Sequence, residues 1–229
     1  MSAADQGQLS RREQSKAGRR AAILDAARTL IRAHGTHVSA ERIAQHAGVS
    51  TATVYNLIGP REQLLGLLLS EQFEQLSATV AAMDLADPIL FGDAVVVVSA
   101  QMFIGDPDLW RRLIPEVSGF FAASVQRFVS FQPINLQRHA MATAKDLGML
   151  SRAADPQVTA MHIYAAYCGA LSLWAGGVLS SDEFLTHAQA GYWAVLAGLG
   201  SAIERRRAQL KLKGLHATPL NSNQHLATA

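Results

Sequence analysis

Three times in this chain an aspartate is followed at once by a proline: Asp87-Pro88, Asp106-Pro107 and Asp155-Pro156. The carboxylate of such an aspartate accepts from the first unpaired N–H groups of a helix. A proline at the first helical position gives up an N–H that would have gone unpaired anyway. A related signal stands at Ser180-Ser181-Asp182-Glu183, where Ser180 and Glu183 have the spacing of a capping box. A chain punctuated so often by helix starts, with almost no alternating apolar runs, is constrained to an all-α fold. The one strand-like run, Val95 to Val98, has no pairing partner and reads as part of a buried helix.

The first third of the chain repeats this grammar on a shorter scale. Ile23, Ala27, Leu30 and Ile31 recur at helical spacing, and Gly35 is placed to end that segment. Ser39 caps a short second segment that carries Ile43, Ala44 and Ala47 on one face and ends at Gly48. Ser50 caps a third from Thr51 to about Ile58, and Pro60 opens a longer fourth that runs past Leu76. On a helical wheel of the third segment Val54, Leu57 and Ile58 fall together, while Ala52, Tyr55 and Asn56 lie to the side and rear with Thr53 flanking them. Such a helix docks by a narrow stripe and leaves a small, hydrogen-bonding face exposed. Two short helices joined at a glycine, the second presenting that face, have the pattern of a helix-turn-helix. Thr51, Thr53, Tyr55 and Asn56 can then bond base edges or phosphates.

Charge supports a division of labour along the chain. Residues 1–62 carry nine Lys/Arg against five Asp/Glu, whereas residues 63–200 carry six against twelve. Only the front is suited to meet a polyanion. The run SRREQSKAGRR ahead of the first apolar segment is expected to be disordered, adding solubility and nonspecific phosphate attraction, with reach along a duplex as the other reading.

The run ILDAARTLIRAHGTHVSAERIAQHAGVSTATVYNLIGPREQLL, residues 23–65, resembles the DNA-binding domain of the TetR family of bacterial regulators. The resemblance rests on Ala26-Ala27 and Gly35, Ile43-Ala44, Ala47-Gly48-Val49-Ser50, Thr53-Val54-Tyr55, and Glu62 with Leu64-Leu65. It implies that Thr51, Thr53, Tyr55 and Asn56 face double-stranded DNA and that Ser39 and Arg61 hold phosphates. Leu57-Ile58 stand where the family often has an aromatic pair, Asn56 where it often has histidine, Ala52 where it often has glycine, and Arg61 where it usually has lysine. These departures leave the operator sequence open. For Thr53 and Ser39 a plain capping role is the alternative.

What the resemblance implies for the remainder is a larger helical domain that binds a small, largely apolar effector and dimerises. Among its large apolar residues Phe103, Trp110 and Phe128 are candidates to line the effector pocket, with His139 and His162 as polar groups there or as ordinary core or surface histidines. Pro133 is expected to kink a long helix. Residues 156–181 and 184–203 contain no Asp, Glu, Lys or Arg. A membrane hairpin is one reading of such runs, but Gln157, Thr159, His162, His187 and Gln189 would be costly in hydrocarbon. The better reading is a helix pair buried in its own domain and against a second copy of the chain, with Tyr164, Trp174, Tyr192, Trp193 and Leu196 supplying interface.

The expected organisation is a disordered basic arm over 1–18, a three-helix helix-turn-helix DNA-binding domain over 19–65, a helical regulatory and dimerisation domain over 66–213, and a disordered tail over 214–229. The single cysteine, Cys168, and an N-terminus without an apolar core point to the cytoplasm. No catalytic, metal or phosphate-loop pattern appears, so neither an enzyme nor a cofactor is expected. The reading that follows is a ligand-responsive regulator, a repressor by family habit and a homodimer. The alternative is a helical ligand-binding or adaptor protein that does not bind DNA specifically.

Overall fold

The computed structural model describes the backbone of residues 3–117 and 133–217 and the side chains of 14–117 and 133–215. Within them lie ten helices: α1 (Ala3–His34), α2 (Ala40–Ala47), α3 (Thr51–Leu57), α4 (Arg61–Ala81), α5 (Pro88–Ile104), α6 (Pro107–Val117), α7 (Ile134–Asp146), α8 (Pro156–Ala175), α9 (Ser181–Leu199) and α10 (Ala202–Ala217). The all-α expectation holds; the one β-type contact among the described residues is an isolated bridge between Leu150 and Gly200.

The punctuation residues act as their chemistry requires. Asp87 Oδ1 accepts from the N–H groups of Ile89 and Leu90 at 2.8 and 3.1 Å, and Asp155 Oδ1 does the same for Gln157 and Val158. At α9 the capping box is complete, with Ser180 Oγ accepting from Glu183 N and Glu183 Oε2 accepting from Ser180 N. Val95 to Val98 fall inside α5.

The chain forms two compact units. The first contains α1, α2, α3, α4 as far as Glu71, and α6. Its core is built from Ile23, Leu24, Ala27 and Ile31 of α1, Ile43 and Ala44 of α2, Val54 of α3, and Leu64, Leu65 and Leu68 of α4, all buried. On α6 Leu109, Trp110, Leu113 and Ile114 are buried as well, and α6 packs on α1. The helix-turn-helix therefore does not fold on three helices alone.

The second unit contains α4 from Gln72, α5, and α7 to α10. Leu76 and Val80 of α4 pack with Val95 and Val98 of α5, and Phe91, Met102 and Leu136 close over them. The rings of Trp174 on α8 and Phe184 on α9 stack with centroids 5.2 Å apart. Helices α8 and α9 approach closely at Gly191, where a Cβ would lie 2.9 Å from that of Ala166. The last helix is tied down by Arg207, which donates to Asp87 Oδ2 at 2.8 Å and to Glu204 at 3.3 Å. Burial opposes ionisation of Asp87, but Arg207 and the two capping N–H groups prevail and hold its carboxyl below the ordinary value.

Three expectations about the ends and breaks of helices are corrected. The basic stretch read as a disordered arm is helical from Ala3 onward, as part of α1. Its Ala, Gln, Glu, Arg and Lys residues are good helix formers and no proline interrupts them. Helix α10 runs through Gly214 to Ala217, into the stretch expected as a disordered tail. Pro133 stands just ahead of α7 rather than within a described helix, whereas Pro115 lies inside α6.

Candidate nucleic-acid interface

The turn between α2 and α3 depends on Gly48, which sits at φ 66° and ψ 33° and donates back to the carbonyls of Ala44 and Gln45. A Cβ there would meet no heavy atom within 4 Å, so the position requires glycine for its backbone and not for space. Gly48→Ala is accordingly expected to cost about 1–2 kcal/mol, the penalty of a left-handed L-residue, measured by urea unfolding. A loss much above that would point to a side-chain clash the turn does not have.

Helix α3 carries one buried residue of its own, Val54, with Ile58 buried just after it. Its other face is open as the wheel required: Ala52, Tyr55 and Asn56 are exposed, Tyr55 to 55%. Thr51 and Thr53 are half-buried. Thr53 is tied to the cap, its hydroxyl 2.8 Å from Ser50 Oγ and its N–H donating to the same oxygen. Ser39, also exposed, caps α2 by accepting from Arg42 N. Ser39 is thus itself a cap, whereas at α3 the cap is Ser50 and Thr53 is bonded to it.

Three of the sequence-assigned DNA residues line one cleft. The α1–α2 turn, α2, α3 and the start of α4 enclose about 250 Å3 between Ser39, Tyr55 and Arg61, with Thr36 and Glu41 in the same wall. Such a mouth combines a helix N-terminus, hydroxyls and a guanidinium, the donors that phosphate oxygens take up. Arg61, however, already has protein partners. Its Nη2 donates to Glu116 Oε2 at 2.8 Å and its Nε to the Thr36 carbonyl at 3.3 Å. Glu116 also accepts from the Thr36 hydroxyl at 3.0 Å, and His37 Nε2 lies 3.9 Å from the same carboxylate oxygen. The Arg61 guanidinium holds the Glu116 carboxyl below its ordinary value, the Thr36 hydroxyl and His37 adding to this against the cost of burial. Sequence reasoning missed Glu116 and Thr36, since nothing local links a residue in the last turn of α6 to the start of α4.

Of the residues assigned to an effector pocket, the two described aromatics are buried and the two histidines are exposed. Phe103 is buried on α5 in the second unit and Trp110 on α6 in the first, while Phe128 lies outside the described residues. His139 and His162 are exposed. On α7 the inward positions are taken by Ile134, Gln137, Ala140, Met141 and Ala144, which turns His139 outward. On α8 Thr159, Ala160 and Ile163 take the interior and leave His162 outside.

The interface assignment is corrected. Trp174, Tyr192, Trp193 and Leu196 are 0% exposed within a single chain, so they are core. Tyr192 donates to the Ile89 carbonyl at 2.6 Å and Trp193 Nε1 to Asp93 Oδ1 at 3.1 Å. Tyr164 is half-buried. Among the exposed residues of these helices are Val158, Met161, His162, Ala165, Gly169, Ser172 and Leu173 of α8 and His187, Ala194 and Gly198 of α9, with the exposed carboxylate Asp182 confined to the first turn of α9.

These features define a helix-turn-helix fold: a recognition-type helix with a polar open face, set in one helical unit of a chain that has a second, larger one. Residues 23–65 match the family model described as bacterial regulatory proteins, tetR family, and the resemblance read from the sequence holds, on a TetR-family fold. Among solved structures, the chain is similar to SmeT, the repressor of the Stenotrophomonas maltophilia multidrug efflux pump SmeDEF, at 21% identity and a TM-score of 0.64, over 81% of this chain and 92% of that one. It is similar to RolR in complex with resorcinol at 20% identity and a TM-score of 0.63, over 93% and 100% of the two chains. It is also similar to the fatty acid degradation regulator FadR from Bacillus halodurans at 18% identity and a TM-score of 0.63, over 78% and 98%. No curated protein matches the sequence. Among the described residues no single helix is long and apolar enough to cross a membrane, and no group of three or more His, Cys, Asp or Glu could hold a metal ion.

Proposed function

We propose that the protein is a dimeric transcriptional regulator, a repressor that binds a pseudo-palindromic operator and is released by a small-molecule effector. The observation that carries the reading is the open face of α3, where Ala52, Tyr55 and Asn56 are presented beside a cleft lined by Ser39, Tyr55 and Arg61. Ala52 permits close approach to a groove, and an Asn side chain can bond adenine in two places. One seven-residue helix reads too few bases for useful specificity, so a second copy is required about one DNA turn away. The uncharged open face of α8 and α9 supports that pairing. For the effector, Gln137 is the polar group that favours an apolar molecule with a hydrogen-bond donor: it is buried, its Nε2 donates to the Gly92 carbonyl, and its Oε1 has no donor among the described residues. An effector that binds better to a form with the wrong helix spacing releases the DNA by that difference in affinity.

The test is a fluorescence-anisotropy titration against DNA from upstream of the protein's own gene and against scrambled DNA, at two salt concentrations. Tight binding to the upstream DNA alone supports the regulator; binding to neither favours an adaptor that has no DNA partner. In the same assay Asn56→Ala is expected to weaken specific binding by about 1–3 kcal/mol and leave nonspecific binding nearly unchanged. Equal loss on both DNAs would remove Asn56 from base recognition.

A further inference from the structure

Glu116 and Arg61 are 55 residues apart in sequence and joined at 2.8 Å within the first unit. The carboxylate is not a passing surface partner, because Thr36 holds its other oxygen at 3.0 Å and Thr36 itself is buried. Arg61 meanwhile lines the cleft that also presents Ser39 and Tyr55. We propose that Glu116 is a built-in competitor for DNA, occupying in the free protein the guanidinium that a backbone phosphate must take over. The proposal rests on the DNA-binding reading above and adds to it an internal brake on affinity.

The physical argument is one of charge. A guanidinium paired with a carboxylate presents a dipole instead of a cation, and its pull on an approaching phosphate falls off faster with distance. Both side chains are partly exposed, Arg61 to 32% and Glu116 to 21%, so exchange of one anion for the other requires no unfolding. Salt acts on both sides of the exchange: it weakens the phosphate contact that forms and also the Arg61–Glu116 pair that must break. Arg61 therefore adds little to the salt dependence of binding while Glu116 is ionised, and adds a full phosphate contact once that charge is gone.

The experiment uses the full chain and a mixed-sequence DNA duplex, because phosphate contacts do not depend on an operator. Binding is measured over a series of salt concentrations for wild type, Glu116→Gln, Arg61→Ala and the double variant, with helical content checked by circular dichroism. Glu116→Gln, which is isosteric and can still accept from Thr36, is expected to bind about two- to fivefold tighter, the worth of a partly exposed ion pair. Its plot of log K against log salt is expected to steepen by about 0.9, one phosphate contact. Neither gain should survive in the Arg61→Ala background. Glu116→Ala, a second route to the same charge removal, should steepen the slope equally if the glutamine variant folds poorly. A gain of the same size without Arg61 would overturn the proposal in favour of a general charge effect. Weaker binding by Glu116→Gln would overturn it too, making Glu116 a residue that orients Arg61 for DNA. An unchanged slope would mean that the two anions do not compete. If wild type shows no salt-dependent DNA binding at all, the DNA-binding reading itself fails, an outcome distinct from the others.

Discussion

Trp193→Ala is expected to lower the unfolding free energy by about 3–5 kcal/mol, the range for deleting a buried tryptophan. Four losses combine at this position on α9. The indole is 0% exposed, so its removal leaves a cavity walled by neighbours that can collapse only in part. Its edge-on contact with the Tyr192 ring, centroids 5.3 Å apart at 89°, disappears. Its N–H no longer donates to Asp93, a carboxylate whose burial already pushes it above the ordinary value despite donors from Gln189 and Trp193. The ammonium of Lys211, 5.6 Å from the ring centroid, also loses its aromatic surface. Urea unfolding followed by circular dichroism measures the total. A loss below about 1 kcal/mol would return Trp193 to the interface role its sequence suggested, since surface changes cost little in a single chain.

Gly169→Glu on α8 is expected to do the reverse: spare the fold and abolish the dimer. A Cβ at Gly169 meets no heavy atom within 4 Å, so the chain itself has room for the new side chain. Within a helix interior the exchange of glycine for glutamate even favours folding, by up to about 1 kcal/mol. The cost arises only if a second copy packs against this face, beside Ala165, Ser172 and Leu173, because two carboxylates then enter an uncharged contact without partners. Sedimentation should find the variant at the 24.6 kDa of one chain and wild type at twice that mass. Affinity for a two-half-site operator should fall by about 10²–10⁴-fold, since the second half-site is no longer held in place. A variant that stays dimeric would place the contact on another surface.

The two substitutions mark where sequence reasoning was sound and where it ran out. Long uncharged runs over 156–181 and 184–203 fall on α8 and α9, each of which buries one face in its own unit. They did not announce which side of each helix met which neighbour. Large aromatics were assigned to the subunit contact because they offer area, yet Trp174, Tyr192 and Trp193 are consumed by the core of their own unit. What remains outside is aliphatic or small and not aromatic: Val158, Met161, Ala165, Gly169 and Leu173 on α8, Ala194 and Gly198 on α9. His139 and His162 failed for the same reason, since a histidine's spacing does not say whether its face of the helix is inside.

The helix-turn-helix was the most legible part because its signals are local. A cap and its N–H partners lie within three residues, a left-handed glycine is required by its own backbone, and a seven-residue helix has one narrow stripe to bury. Ser39, Gly48, Ser50 and the Asp-Pro pairs therefore determined by themselves where helices start and turn, and the periodicity of α3 determined that Tyr55 and Asn56 stay outside. Tertiary structure alone decided the partners of side chains far apart in the chain. It made α6 part of the first unit's core, paired Arg61 with Glu116, and turned Trp174, Tyr192 and Trp193 inward. Those outcomes depend on which helix faces come together, a global packing solution that no short window of sequence contains.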